Sequence, residues 1–318
     1  MMRCILMSTF LVTGGSGYIG TRLSDKLAQQ GHSVVSLDHS MPTASQSSDS
    51  RIRRVYGDVC DRMLIEDLFH NIDGCFHLAH STNDRNDQVD GPNLRGTMNV
   101  FGAAQSSKRI SIPVIYASSA CVYGDNATIP LTESAELRPV SNLGIDKAAS
   151  EMFARIASLK TGVPSIGLRL FNVYGPGKEQ ECNNLDPIAH ILKCIESGNS
   201  IEVNGDGEQQ HDYIYIEDVI EIFLKAMEKA IPRHQIFNVC TGRKTSLNAL
   251  IQIISSMFNI NVPMQYLPRL PGDIDISLGD PKKTMNYFKL DTFTSLEQGL
   301  LATFQHHIGT DLTEKEVG

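Results

Sequence analysis

Short runs of apolar residues alternate along the first half of the chain with longer segments in which apolar residues recur every three or four positions. The run from Thr9 to Thr13 is typical of a buried strand, and Tyr18 to Gln30 has helical spacing that ends at Gly31, a suitable C-terminal cap. Repeated to about residue 171, this alternation predicts right-handed β-α-β units, a parallel sheet and helices on both faces of that sheet.

The predicted elements follow each other regularly up to residue 171 and less regularly beyond it. The predicted strands cover residues 9–13, 33–37, 54–56, 75–79, 113–118, 165–170, 213–216 and 235–239. The predicted helices cover residues 18–30, 61–70, 92–107, 143–161, 187–197, 216–229, 247–257 and 293–306. We therefore predict an α/β protein with a Rossmann-like doubly wound parallel sheet over residues 8–171, to which 212–240 add, and a smaller C-terminal α/β cap over 172–211 and 241–318.

Composition narrows the class of protein without naming a function. The 318 residues carry a formal net charge of −8, with 41% hydrophobic and 20% charged residues, which is ordinary for a globular protein. The acidic balance argues against a general nucleic-acid binder or a binder of anionic membranes, and no apolar run approaches the ~18 residues of a membrane-spanning helix. Seven cysteines without a C-x-x-C pair argue against a disulfide framework and a zinc ribbon, and favour a reducing, cytoplasmic compartment.

A glycine-rich turn lies between the first predicted strand and the first predicted helix. Its glycines are Gly14, Gly17 and Gly20, and glycine at such a turn lets backbone N–H groups approach a pyrophosphate at the start of a helix. Asp38 ends the second strand near the ~20-residue distance at which a carboxylate binds the ribose of a dinucleotide. Because a carboxylate there repels a 2′-phosphate, the pattern favours NAD over NADP.

Further segments extend this pattern along most of the chain. They are Gly57-Asp58-Val59, His77-Leu78-Ala79-His80, Asn93-Leu94-Arg95-Gly96-Thr97, Ser118-Ser119-Ala120-Cys121-Val122-Tyr123-Gly124 and Leu168-Arg169-Leu170-Phe171-Asn172-Val173-Tyr174-Gly175-Pro176. With the glycine turn, they resemble the motifs of the extended short-chain dehydrogenase/reductase family, the NAD-dependent epimerases and dehydratases of nucleotide sugars. The second half would then be the substrate-binding cap. The resemblance implies that NAD contacts Gly14, Gly17, Tyr18, Ile19, Gly20, Asp38, Asp58, Val59, Leu78, Ala79 and Lys147.

The family's catalytic residues are matched only in part. The resemblance implies a catalytic hydroxyl at Ser119 and a lysine at Lys147, but the position of the catalytic tyrosine holds Leu143, which cannot exchange a proton. Three interpretations follow: another group transfers the proton, or turnover is slow, or the protein binds without turnover. The nearest substitutes by sequence are Cys121, Tyr123 and Asp146. Cys121 is expected on Ser119's side of an extended segment, and Asp146 is not expected to share Leu143's face. The plainer role of Cys121 is that of a small packing residue.

The predicted cap carries residues that match the family's nucleotide-sugar contacts. They are Asn172, Asn184, Leu185 and Arg269, with His211 where the family usually has arginine. Histidine is charged only below about pH 6.5, so diphosphate affinity should be weaker or pH-sensitive unless Arg269 suffices. Ser277 is a small residue at a position whose side-chain size differs among related 4-epimerases. By this resemblance, a small residue there favours an N-acetylhexosamine as the sugar.

Two further features argue against a metal site and against other activities of the family. His77 and His80, three apart on a predicted strand, should face opposite ways, so no metal site is expected. Ala120-Cys121 replaces the acidic residues that the family's 4,6-dehydratases and decarboxylases carry there.

The resemblance thus favours a NAD-dependent UDP-hexose or UDP-N-acetylhexosamine 4-epimerase that oxidises C4 transiently, with its activity impaired by Leu143. The alternatives are a non-catalytic regulatory protein that binds NAD and a nucleotide sugar, and a keto-sugar reductase. The resemblance also implies a homodimer in which helices 92–107 and 143–161 of each subunit form a four-helix bundle.

Overall fold

The computed structural model describes residues 7–40, 49–80, 92–106, 112–177, 187–260, 262–269 and 273–315. The chain forms two compact units. The first takes the residues up to Tyr123 together with Leu137–Arg169 and Ile220–Phe237, and the second takes Gly124–Glu136, Leu170–Val219 and the residues from Asn238 onward. The predicted division placed residues 124–136 with the first half of the chain, whereas they pack in the second unit.

The strands are β1 (Thr9–Thr13), β2 (Ser33–Asp38), β3 (Ile52–Tyr56), β4 (Gly74–His77), β5 (Val114–Ser119), β6 (Ser165–Leu170), β7 (Asn172–Tyr174), β8 (Ile201–Asn204), β9 (Gln210–Tyr215), β10 (His234–Val239), β11 (Lys244–Ser246), β12 (Met264–Leu267) and β13 (Ile276–Ser277). The helices are α1 (Tyr18–Gln29), α2 (Arg62–Leu68), α3 (Pro92–Ser106), α4 (Asn142–Thr161), α5 (Pro187–Ser197), α6 (Ile216–Glu228), α7 (Leu247–Phe258), α8 (Lys282–Phe288) and α9 (Leu296–Lys315). None of these helices, over the residues described, is long and apolar enough to cross a membrane.

A seven-stranded sheet in the order β3-β2-β1-β4-β5-β6-β10 organises the first unit. Strand β1 pairs in parallel with both β2 and β4, and β5 pairs in parallel with β4. Strand order reverses between β1 and β4, and in doubly wound sheets ligands bind at the carboxyl ends of the strands beside such a point. The predicted Rossmann-like α/β fold is confirmed.

Both faces of this sheet are buried, as the continuous apolar runs predict. On one face, Phe10 and Phe76 pack edge-on, and Phe76 meets Phe223 of α6. Their chain neighbours Leu11 and Cys75 belong to the core on the other face, which the apolar sides of α2, α3 and α4 complete.

The second unit has a core of its own and smaller sheets. Strand β9 pairs with β11, β13 and β7, and β12 pairs with β8. Helices α5, α7 and α9 supply apolar side chains to this core, and the rings of Phe258 and Phe304 stack at 4.1 Å. Strands β7, β8, β11, β12 and β13 and helix α8 were not predicted from the sequence, because short elements carry too few positions to show a period.

A buried ion pair fixes α4 to the sheet of the first unit. Glu151 of α4 accepts from Arg169 Nε at 2.9 Å and from Arg169 Nη2 at 2.7 Å, and both side chains are almost fully buried. Arg169 also donates to the hydroxyl of Tyr123 at 2.8 Å, and Ser118 donates to the same Glu151 carboxylate. The carboxylate and the guanidinium therefore satisfy each other inside the unit.

We expect Glu151→Gln to lower the free energy of unfolding by about 3–5 kcal/mol, because it leaves the Arg169 charge buried without its partner. Glu66→Gln is the matched control: Glu66 pairs with Arg62 at 2.6 Å on the surface of α2, where such a pair contributes about 0.3–0.5 kcal/mol. Denaturant titration of both variants measures the difference. Equal losses would mean that the buried pair is not the stronger constraint.

Candidate functional site

The glycine turn comes very close to the end of β4. Gly14 has φ +69°, and a Cβ atom on it would lie 2.7 Å from the Ala79 nitrogen and 2.8 Å from the Leu78 carbonyl carbon. Gly17 is the N-cap of α1 and has no side chain to bond the first N–H groups of that helix. A Cβ atom on Gly20 would lie 2.1 Å from the Gly14 carbonyl oxygen. Only glycine allows the backbone to be this compact. Because glycine has no side chain, the N–H groups at the start of α1 can be approached by a phosphate.

Asp38 is tied directly to this turn. Its carboxylate accepts from the Ser16 N–H at 2.9 Å and from the Ser40 N–H at 2.9 Å, and only 11% of the side chain is exposed. The carboxylate therefore stands at the end of β2 beside the glycine turn, where a ribose diol attached to a bound diphosphate could reach it.

The other residues implied in cofactor binding lie at the same edge of the sheet. Leu78 N–H donates to the Thr13 carbonyl at 3.0 Å, and Ala79 N–H donates to the Thr13 hydroxyl at 3.3 Å. Asp58 follows β3 and accepts from the Cys60 N–H at 2.8 Å, and a Cβ atom on Gly96 of α3 would lie 2.6 Å from the Val59 side chain. Tyr18 and Ile19 form the first turn of α1. These positions fit an extended dinucleotide along the carboxyl ends of β1 to β4.

Lys147 is bound to β5, the strand that ends at Ser119. Lys147 of α4 donates from Nζ to the Ala117 carbonyl at 2.9 Å, two residues before Ser119. Burial lowers the pKa of Lys147 to about 8, opposed by Cys121, Asp146 and Glu151 nearby. Ser119 caps a single 3₁₀ turn, Ala120–Val122, by accepting from the Cys121 N–H at 3.3 Å.

Leu143 reaches this edge in the first turn of α4. Ser141 caps the helix by accepting from the Gly144 N–H at 3.1 Å, and a Cβ atom on Gly144 would lie 2.6 Å from the Cys121 carbonyl oxygen. The start of α4 therefore packs directly on the turn that follows Ser119. Leu143 stands one helical turn before Lys147 on the same face, so the structure brings an apolar side chain to the place where the family has a phenol.

Two of the three substitutes named from the sequence are occupied by structural contacts. Tyr123 is fully buried, and its hydroxyl accepts from Arg169. Asp146 accepts from Asn93 Nδ2 at 2.9 Å. Cys121 was predicted on an extended segment, which is wrong, since residues 120–122 form the 3₁₀ turn. Burial raises the pKa of the Cys121 thiol, and Ser119 and Lys147 oppose that shift.

The histidines at the end of β4 also differ from the prediction. The strand ends at His77, so the alternation of faces does not continue to His80. Both rings reach α3, His77 through Nε2 at 3.1 Å from the Thr97 hydroxyl and His80 through Nδ1 at 3.0 Å from Asn93 Oδ1. Burial and the Lys147 charge lower the pKa of His77 to about 3, so its ring is neutral. The chain from His80 through Asn93 to Asp146 was not predicted from the sequence.

Three of the predicted substrate residues lie on β9 or on strands that pair with it: His211, Asn172 and Ser277. Ser277 of β13 is the register partner of His211, and Asn172 of β7 is the register partner of Tyr213 on the same strand. Arg269 forms an ion pair with Asp275, whose carbonyl accepts from the Gln210 N–H at 2.8 Å. Asn184 and Leu185 lie outside the described residues.

Two effects act in opposite directions on the pKa of His211. Burial lowers its pKa, and the charge of Asp273 opposes that shift. Next along β9, Asp212 accepts from the Thr241 and Gly242 N–H groups at 2.8 Å each, which fixes the backbone of the strand. His211 is therefore uncharged at neutral pH, unlike the arginine that the family usually has.

The fold and these motifs define the class of protein. The chain belongs to the NAD-dependent epimerase/dehydratase family, whose family model matches residues 10–240, and NAD is the cofactor of that family. Among its relatives is the UDP-glucose 4-epimerase of Yersinia enterocolitica, 29% identical over 84% of this chain and 87% of the relative.

Two solved structures share the fold over nearly the whole chain. One is the UDP-N-acetylglucosamine 4-epimerase of Methanobrevibacter ruminantium M1 in complex with UDP-N-acetylmuramic acid, with a TM-score of 0.85, 26% identity and coverage of 96% of this chain and 99% of that one. The other is the UDP-glucose 4-epimerase of Thermotoga maritima with UDP-glucose, with a TM-score of 0.85, 27% identity and coverage of 95% and 99%.

We expect Gly14→Ala to weaken NAD binding by at least 100-fold, because its Cβ atom would collide with backbone atoms of residues 78 and 79 that cannot move aside. Gly102→Ala in α3 is the control, since a Cβ atom there meets nothing within 4 Å. Calorimetric titration with NAD measures both variants. Full-affinity binding by Gly14→Ala would mean that the turn does not hold the cofactor.

Proposed function

We propose that the protein is a NAD-dependent nucleotide-sugar 4-epimerase that acts on a UDP-hexose or a UDP-N-acetylhexosamine. The observation that carries the proposal is that Lys147 donates from Nζ to the Ala117 carbonyl, two residues before Ser119 on β5. A protein that only bound NAD and a sugar nucleotide would have little need of residues at the hydride-transfer position. The activities of its relatives and structural neighbours support the same conclusion.

Each residue of the first unit then has a role. Gly14, Gly17 and Gly20, with the start of α1 at Tyr18 and Ile19, hold the diphosphate. Asp38 holds the adenosine ribose, Asp58 holds the adenine amino group with Val59 beside it, and Leu78 and Ala79 line the cofactor. When bound, NAD would supply the hydride acceptor for sugar C4. Ser119 hydrogen-bonds the C4 oxygen, and Lys147 binds the nicotinamide ribose.

The second unit would bind the nucleotide sugar. Arg269 and Asn172 contact the phosphate region, together with Asn184 and Leu185 as the family resemblance implies. His211 is uncharged at neutral pH and so contributes a hydrogen bond rather than a charge, which leaves Arg269 as the phosphate's cation. Ser277, beside His211 in register, is small enough to admit an acetamido group. The proposed contacts of the second unit are thus all with the substrate, whereas the first unit supplies the cofactor contacts and Ser119.

Leu143 sets the expected rate. General acid–base catalysis contributes ~10²–10⁴-fold, so an enzyme without the family tyrosine is slow unless another group carries the proton. The regulatory alternative predicts binding of NAD and nucleotide sugar without any turnover.

We expect the unmodified protein to interconvert C4 epimers slowly and Leu143→Tyr to do so faster, because the phenol would stand one turn from the Lys147 ammonium. Both proteins are incubated with NAD and a panel of UDP-hexoses and UDP-N-acetylhexosamines, and the epimer ratio is read by NMR. Leu143→Ile, which supplies no proton, is the control. Binding of NAD with no turnover by any variant would overturn the proposal in favour of the regulatory one.

We further propose that the protein is a cytoplasmic homodimer in which α3 and α4 of two subunits form a four-helix bundle. Apolar side chains on one side of α4 support this: Ile145, Met152, Ile156 and Leu159 are exposed, Leu159 by 71%. Met98 of α3 is also exposed. The spacing of these α4 residues puts them in one stripe, and such a stripe in water is typical of a surface that a second chain covers.

We expect Met152→Glu combined with Leu159→Glu to yield a monomer, because two charges in the stripe would be buried in the dimer without partners. Met63→Glu on α2, where the side chain is 74% exposed, is the control. Light scattering after gel filtration gives the mass. A monomeric unmodified protein, or a dimer that survives the double substitution, would contradict the proposed interface.

A further inference from the structure

A buried chain of hydrogen bonds runs through the ring of His77 at the end of β4. Nδ1 of His77 lies 2.8 Å from the hydroxyl oxygen of Thr13, the last residue of β1, and Nε2 lies 3.1 Å from the hydroxyl oxygen of Thr97 in α3. The hydroxyl oxygens of Thr97 and Ser150, which belongs to α4, are 3.2 Å apart. All four side chains are buried, so the chain connects two strands and two helices inside the first unit.

The partners of Thr97 determine which ring nitrogen of His77 carries the proton. Thr97 has a single hydroxyl proton, and it donates that proton to the Asn93 carbonyl oxygen at 3.0 Å, because a carbonyl oxygen can only accept. Nε2 of His77 must then be the donor toward Thr97. Burial and the Lys147 charge lower the pKa of His77 to about 3, so the ring is neutral. Nδ1 is therefore the acceptor for the hydroxyl of Thr13.

The Thr13 hydroxyl links this chain to the glycine turn. It accepts from the Ala79 N–H at 3.3 Å, and its own proton goes to His77. Ala79 is also a residue against which Gly14 packs, since a Cβ atom on Gly14 would lie 2.7 Å from the Ala79 nitrogen. The ring of His77 thus fixes the rotation of the hydroxyl that holds this part of the backbone in place.

The same hydroxyl holds the Ala79 N–H toward β1 rather than β5. If the ladder between β4 and β5 continued past the last residue of β4, the Ala79 N–H would donate to the Ala117 carbonyl, because every second N–H of β4 bonds a carbonyl of β5 in that register. In the structure the Ala79 N–H donates to the Thr13 hydroxyl instead. The Ala117 carbonyl accepts from Lys147 Nζ at 2.9 Å. The contacts of His77 therefore bear both on the cofactor turn and on the placement of Lys147.

We propose that His77 is a positioning residue of the NAD site, which fixes the Thr13 hydroxyl and through it the Ala79 backbone beside the glycine turn. The inference deepens the proposed function and rests on it only for the binding of NAD. In this role His77 needs no contact with the cofactor, and no proton moves through its ring. An apolar side chain at residue 77 would leave the Thr13 hydroxyl buried without an acceptor, and its lone pair would no longer be fixed toward Ala79.

The tautomer of His77 can be measured without turnover. Two-bond ¹H–¹⁵N NMR spectra of protein labelled in histidine distinguish the two ring nitrogens, and the His77 signals are assigned by their loss in His77→Asn. We expect a neutral ring with its proton on Nε2, and we expect Thr13→Val to shift the Nδ1 resonance because its donor is gone. His70→Gln, on the surface beside α2, is the control and should leave the His77 signals unchanged. A neutral ring with its proton on Nδ1, or a ring that titrates near the ordinary histidine pKa of about 6.5, would overturn the proposal.

Calorimetric titration with NAD gives the second measurement, on two variants that leave a similar cavity. The side chains of His77→Leu and His77→Asn have nearly the same shape, but only asparagine can place an acceptor oxygen where Nδ1 was. We expect His77→Leu to weaken NAD binding by about tenfold, as for a buried hydroxyl left without a partner, and His77→Asn to keep most of the affinity. Thr13→Val removes only the hydroxyl and should match His77→Leu. The double variant of Thr13→Val and His77→Leu should bind no more weakly than either single variant, because both remove the same link.

Val100→Ala in α3 is the control for a loss of stability that leaves the chain intact, since Val100 is fully buried in the core of the same unit. It should bind NAD as the unmodified protein does. Equal affinity in every variant, or an equal loss in Val100→Ala and His77→Leu, would overturn the inference while the proposed function stands. Because Thr13→Val keeps the shape of the side chain, it tests the link even where a variant at residue 77 does not fold. If the unmodified protein does not bind NAD, the proposed function fails and this inference fails with it.

Discussion

The buried pair of Glu151 and Arg169 is the constraint on which the geometry of the candidate site at the end of β5 depends. By tying α4 to β6 and, through Ser118, to β5, it fixes the rotation of α4 about its axis. One helical turn earlier on that helix, Lys147 is then held on the Ala117 carbonyl, and one turn before that Leu143 is presented at the end of β5. Because a buried charge is costly without its partner, the pair allows few alternative positions for these side chains.

The second constraint is steric, and it governs the cofactor side of the same unit. Gly14 allows the turn after β1 to come within contact distance of the backbone that follows β4. Close packing of backbone on backbone leaves little freedom, so the glycine turn keeps a constant position relative to the end of β4.

Leucine at the position of the family's tyrosine removes a proton donor and also a polar neighbour of the Lys147 ammonium. The Lys147 ammonium is buried beside Leu143, and the desolvation that lowers its pKa to about 8 is opposed by Asp146 and Glu151. Asp146 also holds Asn93, so one carboxylate both steadies the ammonium and orients the amide that faces His80. The charged groups around Lys147 are therefore present although the phenol is not.

Much of this protein could be predicted from the order of its residues. Short apolar runs and helical spacing predicted the Rossmann-like half, and local motifs such as Gly14-x-x-Gly17-x-x-Gly20 indicated the cofactor, because these signals are carried by residues that are near neighbours in the chain. The short strands around β9, the 3₁₀ turn after Ser119 and the chain from His80 to Asp146 were decided only by tertiary structure. His80, Asn93 and Asp146 are far apart in sequence, and a hydrogen bond between distant residues depends on the packing of whole helices and strands, which no local pattern records.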